Sequence, residues 1–454
     1  VGEKSAKVEN MRKLIFSLIF VIFHAQIALC ADSLSLSQAK KIALAKNPAL
    51  VAAGYRLKAA QAGVKQAQGR FLPRVDVMLI YQRSDSPIQV FMAKLAQQDF
   101  KASDFEIDPL NHPSPRTNLK TAIEITQPLF NQGKEIIGLR KAKKHAYMAQ
   151  LEKEALTQYV LYQVEAAYTN WILARERVKV LEKAEETART NLSIVKARVQ
   201  NGRALTSDLL QAKVNLAGVK RALLAAKNQE KVALSRLNLV LGLPTNTPWQ
   251  PEALGFERKF NPGSLAPWQE KALLKRPDLA LVKEKASLAD LGVKEARFRF
   301  YPSVNVKGSY EYNAQGIGGV SGDAFSIMAE ARLNLFSGFE DRARLAKARA
   351  QALAEQAKVR EKKNQVLQEV EEAYLALKTS KAQVEVSLAT VAQAKEALEL
   401  VKKRYQNGLA TIFDLLSAET ALRQARLELL SARFRQYLAW TELRFRAGVL
   451  SEKE

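Results

Sequence analysis

Cysteine is nearly absent from this chain: Cys30 is the only one among 454 residues, and it lies close to the N-terminal end, so the body has no disulfide and no thiol chemistry. Histidine is almost as scarce, and His24, His112 and His145 show no ligand spacing, so no zinc site is implied. Neither a phosphate-binding glycine loop nor a nucleophile elbow occurs, and the Asp and Glu residues fit helix surfaces. Catalysis, metals and cofactors therefore have no candidate residues, and a non-enzymatic protein is expected. Glycine and proline, at 20 and 14, are confined to a few places, which leaves long uninterrupted helices as the dominant element. The longest apolar run, Leu14 to Ile27, is shorter than the ~20 residues a membrane-spanning helix needs.

That run defines the N-terminal segment. Met11-Arg12-Lys13, the apolar stretch and the small residues around Ala28 to Ala31 have the three parts of a secretory signal, with residues 1–10 as an extension ahead of it. Cys30 then has two readings: removed with the signal, or lipidated as the mature N-terminus. Leu29 favours removal, since lipid-attachment sites carry a small residue before the cysteine. Either way the chain is exported and has no transmembrane helix.

The balance of 70 basic to 46 acidic residues is strongly positive. Without residues 1–30 the body still keeps about +22, an excess that ordinarily suggests nucleic acid. Export opposes that partner, and the Lys and Arg residues are interleaved with Glu, as on solvated coiled-coil faces.

What the chain does have is an internal repeat. VKKRYQNGLATIFDLLS, Val401 to Ser417, agrees with VKARVQNGRALTSDLLQ, Val195 to Gln211, at about ten of seventeen positions. The same offset maps Val370, Ala373 and Tyr374 onto Val164, Ala167 and Tyr168, and Gly448 onto Gly242. Upstream, Pro277 falls on Pro48 and Phe300 and Pro302 on Phe71 and Pro73, the change of offset marking an insertion between about Ser84 and Arg116. Behind the segment 1–31, residues 32–242 form the first repeat and 263–450 the second. The proline-rich stretch 243–262 joins them, within one intertwined body.

Each repeat opens with a proline-led helix, Pro48 to Phe71 or Pro277 to Phe300, and then turns to strands. Val75, Val77, Leu79 and Tyr81 share one face. Val304, Val306, Gly308, Tyr310 and Tyr312 alternate with Asn305, Lys307, Ser309 and Glu311. A second strand follows in each half, through Leu119 to Thr126 and through Phe325 to Asn334. All four are about 10 to 12 residues, the length of a tilted membrane strand. Four strands cannot close a barrel, and open edges are not tolerated in lipid, so chains must combine; three would give a barrel of twelve.

From Gly133 to Gln200 and from Gly338 to Gln406 the pattern is helical for about 68 residues, roughly 100 Å. The second of these repeats at seven, through Val370, Leu377, Val384, Val391, Leu398 and Tyr405; the first follows with Val164, Trp171, Val178, Leu192 and Val199, interrupted at Glu185. At the tips, Asn-Gly supplies the left-handed backbone that closes a helix, and shorter helices return with Thr206 or Thr411 as a cap and Asp208 or Asp414 in the first turn. The fold class is mostly α: a long coiled-coil tunnel plus four β-strands per chain contributing to a shared membrane barrel.

This duplicated order resembles the TolC family of outer membrane efflux proteins. A strand follows Phe-Leu-Pro or Phe-Tyr-Pro, another ends in QPLFNQG or LNLFSG, and a tip reads N-G-x-A with Asp-Leu-Leu after it. The resemblance covers essentially residues 34 to 450. It implies a homotrimer with a twelve-stranded barrel in outer membrane lipid and a helical tunnel in the periplasm, serving as exit duct for a periplasmic adaptor and an inner-membrane pump or ABC exporter. Relatives that close the tunnel with acidic rings carry Asp at the position of Asp414, and often at that of Ser417; some have a basic residue where this chain has Ala410. Asp414, with Asp208 in the other repeat, is thus either a gate residue or a helix-start residue, and Ser417 supplies no second ring. The tips Asn201, Gly202 and Arg203, with Asn407, Gly408 and Leu409, either dock the adaptor or merely reverse the chain. The insertion is expected as an extracellular loop. A structural or adhesive coiled coil is the competing class, opposed by the strand pairs.

Overall fold

The computed structural model describes residues 33–252 and 260–450; the predicted secretory segment with Cys30, and part of the joint between repeats, lie outside the described residues. In chain order the elements are β1 (Ser33–Leu34), α1 (Leu36–Lys46), α2 (Pro48–Gly69), β2 (Arg74–Ser84), α3 (Pro87–Ala96), α4 (Ile107–Asn111) and β3 (Arg116–Asn131). There follow α5 (Lys134–Gln200), α6 (Thr206–Leu241), β4 (Gln250–Pro251), α7 (Ala266–Lys275), α8 (Pro277–Phe298), β5 (Ser303–Ala314), β6 (Ser321–Arg332), α9 (Glu340–Gln406) and α10 (Ile412–Arg446). The long helices end where Asn-Gly was expected to end them, and the expected strands are all present.

Two compact units are distinguished, and each draws segments from both repeats: the first from residues through Pro48, Tyr159–Gly263 and Ala373–Leu443, the second from Ala49–Gln158, Ser264–Glu372 and residues from Arg444.

In the first unit, Ser35 and Gln38 form a reciprocal box at the start of α1, each side chain bonded to the other's backbone N–H at 3.2 and 2.8 Å. Here β1 pairs in parallel with β4, a two-residue ladder that the proline-rich composition of the joint concealed. Buried Tyr168 clamps it, its hydroxyl donating to Leu34 O at 2.7 Å and Glu252 O at 3.1 Å, and burial pushes its pKa up to about 12. Fully buried Asn238 anchors the joint as well, donating to Thr245 O and Thr247 O and accepting from the Trp249 indole. On α5 the seven-residue seam Val164, Trp171 and Val178 is buried; on α9 Leu377 is buried and Val384, Val391, Leu398 and Tyr405 are at least half-buried.

The second unit holds an antiparallel sheet in the order β2-β3-β5-β6, so the pairing of β3 with β5 joins the two repeats. Its register puts Val77, Ile123, Tyr310 and Phe325 in one cross-strand row, with Leu79, Thr121, Tyr312 and Asp323 in the next. On this face Val77, Leu79, Phe325 and Ile327 are all about 70 to 80 % exposed, too much apolar surface for water and suited to lipid. The opposite face carries Asp76, Lys120, Glu124, Asn313, Glu311 and Lys307, with Lys120 and Glu311 paired at 2.7 Å. Among the described residues, β2 and β6 each have a free edge. The β3 strand, at 16 residues, outruns the expected length and passes through a bulge between Pro128 and Phe130.

The repeat reappears as two equivalent corners. Gly242 ends α6 and Gly448 follows α10, both left-handed, with the next N–H reaching back to Asn238 O or Arg444 O. A Cβ on Gly242 would stand 2.4 Å from Lys46 O, and one on Gly448 3.1 Å from Arg276 N. Against the first, Asn47 Nδ2 donates to Val240 O at 2.8 Å; against the second, Arg276 reaches Arg446 O at 3.4 Å. In the second repeat that position has become the hub of an ion network. Arg276 bonds Asp278 at 2.7 Å and Glu369 at 2.6 Å, Lys362 reaches Asp278 at 2.8 Å, and Arg446 reaches Glu369 at 3.0 Å.

The insertion departs from a plain loop. Residues 87–96 and 107–111 are helical and Ala102–Phe105 is a 3-10 turn. Pro87 opens its first helix, where the missing N–H costs nothing.

Candidate functional site

Within the first unit the ends of α5 and α9 and the starts of α6 and α10 pack as one body. Val195, Ala212, Ile412, Leu415 and Leu416 are buried together, with Leu192, Val199, Leu398 and Tyr405 packed around them. The paired Asp-Leu-Leu motifs explain this, since Leu415 and Leu416 are the apolar side of the returning first turn. Arg198 stacks on the Tyr405 ring at 4.7 Å, tying the two outgoing helices just before they end.

Beyond this core stand the turns. Gly202 and Gly408 have φ of +68° and +75°, with no neighbouring atom within 4 Å of where a Cβ would lie. Asn201, Arg203, Asn407 and Leu409 are exposed beside them. The turns close in the same way, Arg203 N donating to Arg198 O at 2.7 Å and Leu409 N to Arg404 O at 2.8 Å. A large apolar surface accompanies them: Leu205, Leu210, Leu409 and Phe413 are each more than half exposed. The sequence pattern singled out Leu409 but missed the other three; the signal available was an apolar residue directly beside a turn, where a solvated tip needs none.

Thr411 caps α10 as expected. Its hydroxyl accepts from Asp414 N at 3.2 Å, and the Asp414 carboxylate accepts from the Thr411 N–H at 2.9 Å and its hydroxyl at 2.7 Å. These bonds hold the Asp414 carboxyl below the usual range, so it is ionised at neutral pH, and it is exposed. In the first repeat the expected cap, Thr206, is instead the first helical residue. Leu205 takes the capping position and has no hydroxyl to offer, so Asp208 alone serves the helix start, accepting from Leu205 N at 3.2 Å. Ser417 is exposed, one turn along α10 from Asp414.

A second charged group lies behind the tips. Asn191 Nδ2 donates to both Glu419 oxygens, at 2.7 and 2.8 Å, and burial pushes the Glu419 carboxyl up. Glu419 lines a cavity of about 100 Å³ with Lys183, Asn215, Arg423 and Arg426. Nothing in the helical pattern marked Glu419, because a lone Glu on a charged helix reads as solvated.

Among the described residues no cluster of His, Cys, Asp or Glu is arranged to hold a metal ion, and no helix is long and apolar enough to cross a membrane.

The profile of the outer membrane efflux protein family matches residues 40–243 and 268–449, one block per repeat. The alkaline protease secretion protein AprF of Pseudomonas aeruginosa is 26 % identical over 341 residues, covering 74 % of this chain and 70 % of AprF. Protein CyaE of Bordetella pertussis is 27 % identical over 424 residues, covering 92 % of this chain and 83 % of CyaE. The crystal structure of the outer membrane protein VceC from Vibrio cholerae superimposes with a TM-score of 0.76 at 21 % identity, over 91 % of this chain and 96 % of that one.

Proposed function

The chain belongs to the outer membrane efflux protein family, the TolC-type outer membrane factors, and on that premise we propose how its parts make a working duct. The protein is an outer membrane component of an efflux or type I secretion system, with its barrel in the outer membrane and its helical tunnel in the periplasm. The family is one of channel components rather than enzymes. An exported adhesive coiled coil is set aside, since a fibre has no use for a lipid-facing sheet.

The observation that carries the assembly is the sheet of four strands, apolar on one face and open at both edges. Unpaired backbone groups at β2 and β6 cannot face lipid, so each edge takes the opposite edge of another copy. Three copies close a barrel of about twelve strands, an even number with room for an aqueous channel. Its inner face is the polar one, bearing Lys120, Glu124 and Glu311. The duct is passive: an inner-membrane pump or ABC exporter does the work, and a periplasmic adaptor passes the substrate on.

The adaptor docks at the tips. Asn201-Gly202-Arg203 and Asn407-Gly408-Leu409 offer backbone free of side chains, and Leu205, Leu210 and Phe413 beside them supply apolar surface for a partner to cover. Asp414, ionised and in the first turn after the tip, forms a ring of three carboxylates at the narrow end of the closed tunnel, with Asp208 nearby and no second ring at Ser417.

Light scattering of the detergent-purified protein tests the assembly. A trimer is expected, and a monodisperse monomer that keeps its β-structure would overturn it. Replacing Gly202 and Gly408 with tryptophan tests docking: export should fall while the trimer persists. Unchanged export with a verified adaptor would count against it.

A further inference from the structure

The insertion between β2 and β3 is held on the polar face of the sheet, the face that looks into the barrel. Gln97 is fully buried there, its amide donating to Thr117 O and Asn118 Oδ1 at 2.9 Å each and its oxygen accepting from Arg116 Nε at 2.6 Å. Asn118 in turn bonds Asn313, and both lie on the polar face, as does Lys120 in the next position of that face. Arg116 also grips Asp99 at 2.6 Å, a bond that holds the Asp99 carboxyl below its usual range. On β6, Gly322 admits the insertion at close range: a Cβ there would lie 2.6 Å from the Gln98 side chain and 2.7 Å from Ala96 O. Gln98 itself takes a left-handed backbone, φ 54°, and donates to Asp323 O at 3.3 Å. The insertion thus bridges from β3 to β6 across the inner side of the sheet.

It is also folded in its own right. Phe91, Phe100 and Phe105 stack edge to face at 4.9 and 5.0 Å, and Lys94 pairs with Asp104 at 2.5 Å. Val90 and Ala93 on α3, with Gln97 just past its end, make the buried side. The opposite side presents Ile88, Met92 and Leu95, spaced as one helical ridge and 77, 58 and 46 % exposed. The ridge lies at the strand ends away from α2, α5, α8 and α9, and so at the outer mouth of the barrel.

We propose that residues 85–115 are a lumenal cap, and that the Ile88–Met92–Leu95 ridges of neighbouring copies pack against one another to narrow the exit. This rests on the trimeric barrel argued above. Inside a closed barrel lipid has no access to the ridge, and the free edges of β2 and β6 make further copies of this chain the surfaces available to cover it. The cap would then set which substrates leave unaided: small solutes pass, while a bulkier substrate has to displace three ridges held by Gln97, Gln98 and Arg116.

The test uses the full chain, with light scattering first, so that a wild-type protein that is not trimeric is recognised as a failure of the underlying assembly and not of the cap. In a Cys30→Ala background, Met92→Cys should be joined between copies by a short bis-maleimide linker. Modification of that cysteine by a single-headed maleimide with no crosslinked species in an intact trimer would overturn the proposal. Replacing residues 87–111 with a Gly-Ser linker should raise single-channel conductance at least twofold in planar bilayers. If that deletion does not assemble, Gly322→Leu, which leaves the cap intact but forces it off β6, should give the same rise. Wild-type conductance in a trimeric variant of either kind would refute the constriction.

Discussion

Arg276→Met should weaken the second corner measurably, and its cost follows from the contacts. The guanidinium is about nine-tenths buried and bonds Asp278 through two nitrogens, at 2.9 and 2.7 Å, and Glu369 at 2.6 Å. Removing one partner of a buried ion pair typically costs about 3–5 kcal/mol, because the other charge is left unpaired. Here each carboxylate keeps a second cation, Lys362 for Asp278 and Arg446 for Glu369, and the Asp278 and Arg446 side chains are about a third exposed. We therefore expect about 2–3 kcal/mol, below the full penalty. Unfolding of such an assembly is read as a rate, so the loss should appear as faster unfolding in denaturant, up to roughly a hundredfold if the network is absent from the transition state. Acid should remove the difference. Burial pushes both carboxyls up, but the hydrogen bonds and charges of Arg276 and Lys362, joined at Glu369 by the charge of Arg446, together outweigh it, and Asp278 and Glu369 end below their ordinary values. A carboxyl with a depressed folded pKa contributes stability that is complete above its unfolded pKa, about 4, and is lost as pH falls through the folded value. Wild type and variant should thus differ most at neutral pH and converge in acid. Equal unfolding rates at pH 7, or a gap that persists unchanged at pH 2, would refute the reasoning.

Three further outcomes are expected. Asp414→Ala should lower cation selectivity and relieve block by multivalent cations in single-channel recordings, and in wild type that block should fade as pH drops below the depressed Asp414 pKa; a residue that only starts a helix would leave selectivity unchanged. Glu419→Gln should stabilise the tip bundle at neutral pH, because a carboxyl with a raised folded pKa favours folding below its unfolded pKa and loses that advantage as pH rises; hydrogen exchange at the end of α5 and the start of α10 measures it, and faster exchange in the variant would contradict it. Tyr168→Phe should cost about 1–3 kcal/mol, since two backbone carbonyls lose one buried donor, and a thermal melt within error of wild type would contradict the clamp.

The local grammar of this chain was legible because it depends on short-range physics. Asn-Gly at 201–202 and 407–408 ends a helix wherever it sits, since the left-handed turn is a property of the backbone. The sharper alternation through Val304 to Tyr312 is likewise realised as a strand, β5. The repeat then did what no single motif could, by showing that each of these elements occurs twice in the chain. The tip contacts that were missed have the opposite character. Thr206 is a cap by residue type, but the repeat aligns Leu205, not Thr206, with Thr411, and the helix starts at that same position in both halves, leaving Leu205 at the cap. Leu210 and Phe413 are exposed because the bundle already has its core.

The sequence by itself determined the classes of function excluded, the lengths of the long helices, the four strands and their lipid-compatible face, because periodicity and the supply of turn residues settle these locally. Tertiary structure alone decided what residues far apart in the chain do together. Asn47 and Arg276 occupy equivalent corners, yet one makes a neutral bond to a carbonyl and the other gathers Asp278 and Glu369. The stretch that read as a surface loop folds back on the polar face because Gln97, Gln98 and Arg116 find Asn118, Asp323 and Asp99, partners up to 225 positions away, and because Gly322 leaves room for them. A hydrogen bond is worth making only where its geometry is met, and across such separations the fold, not the spacing along the chain, brings donor and acceptor into reach.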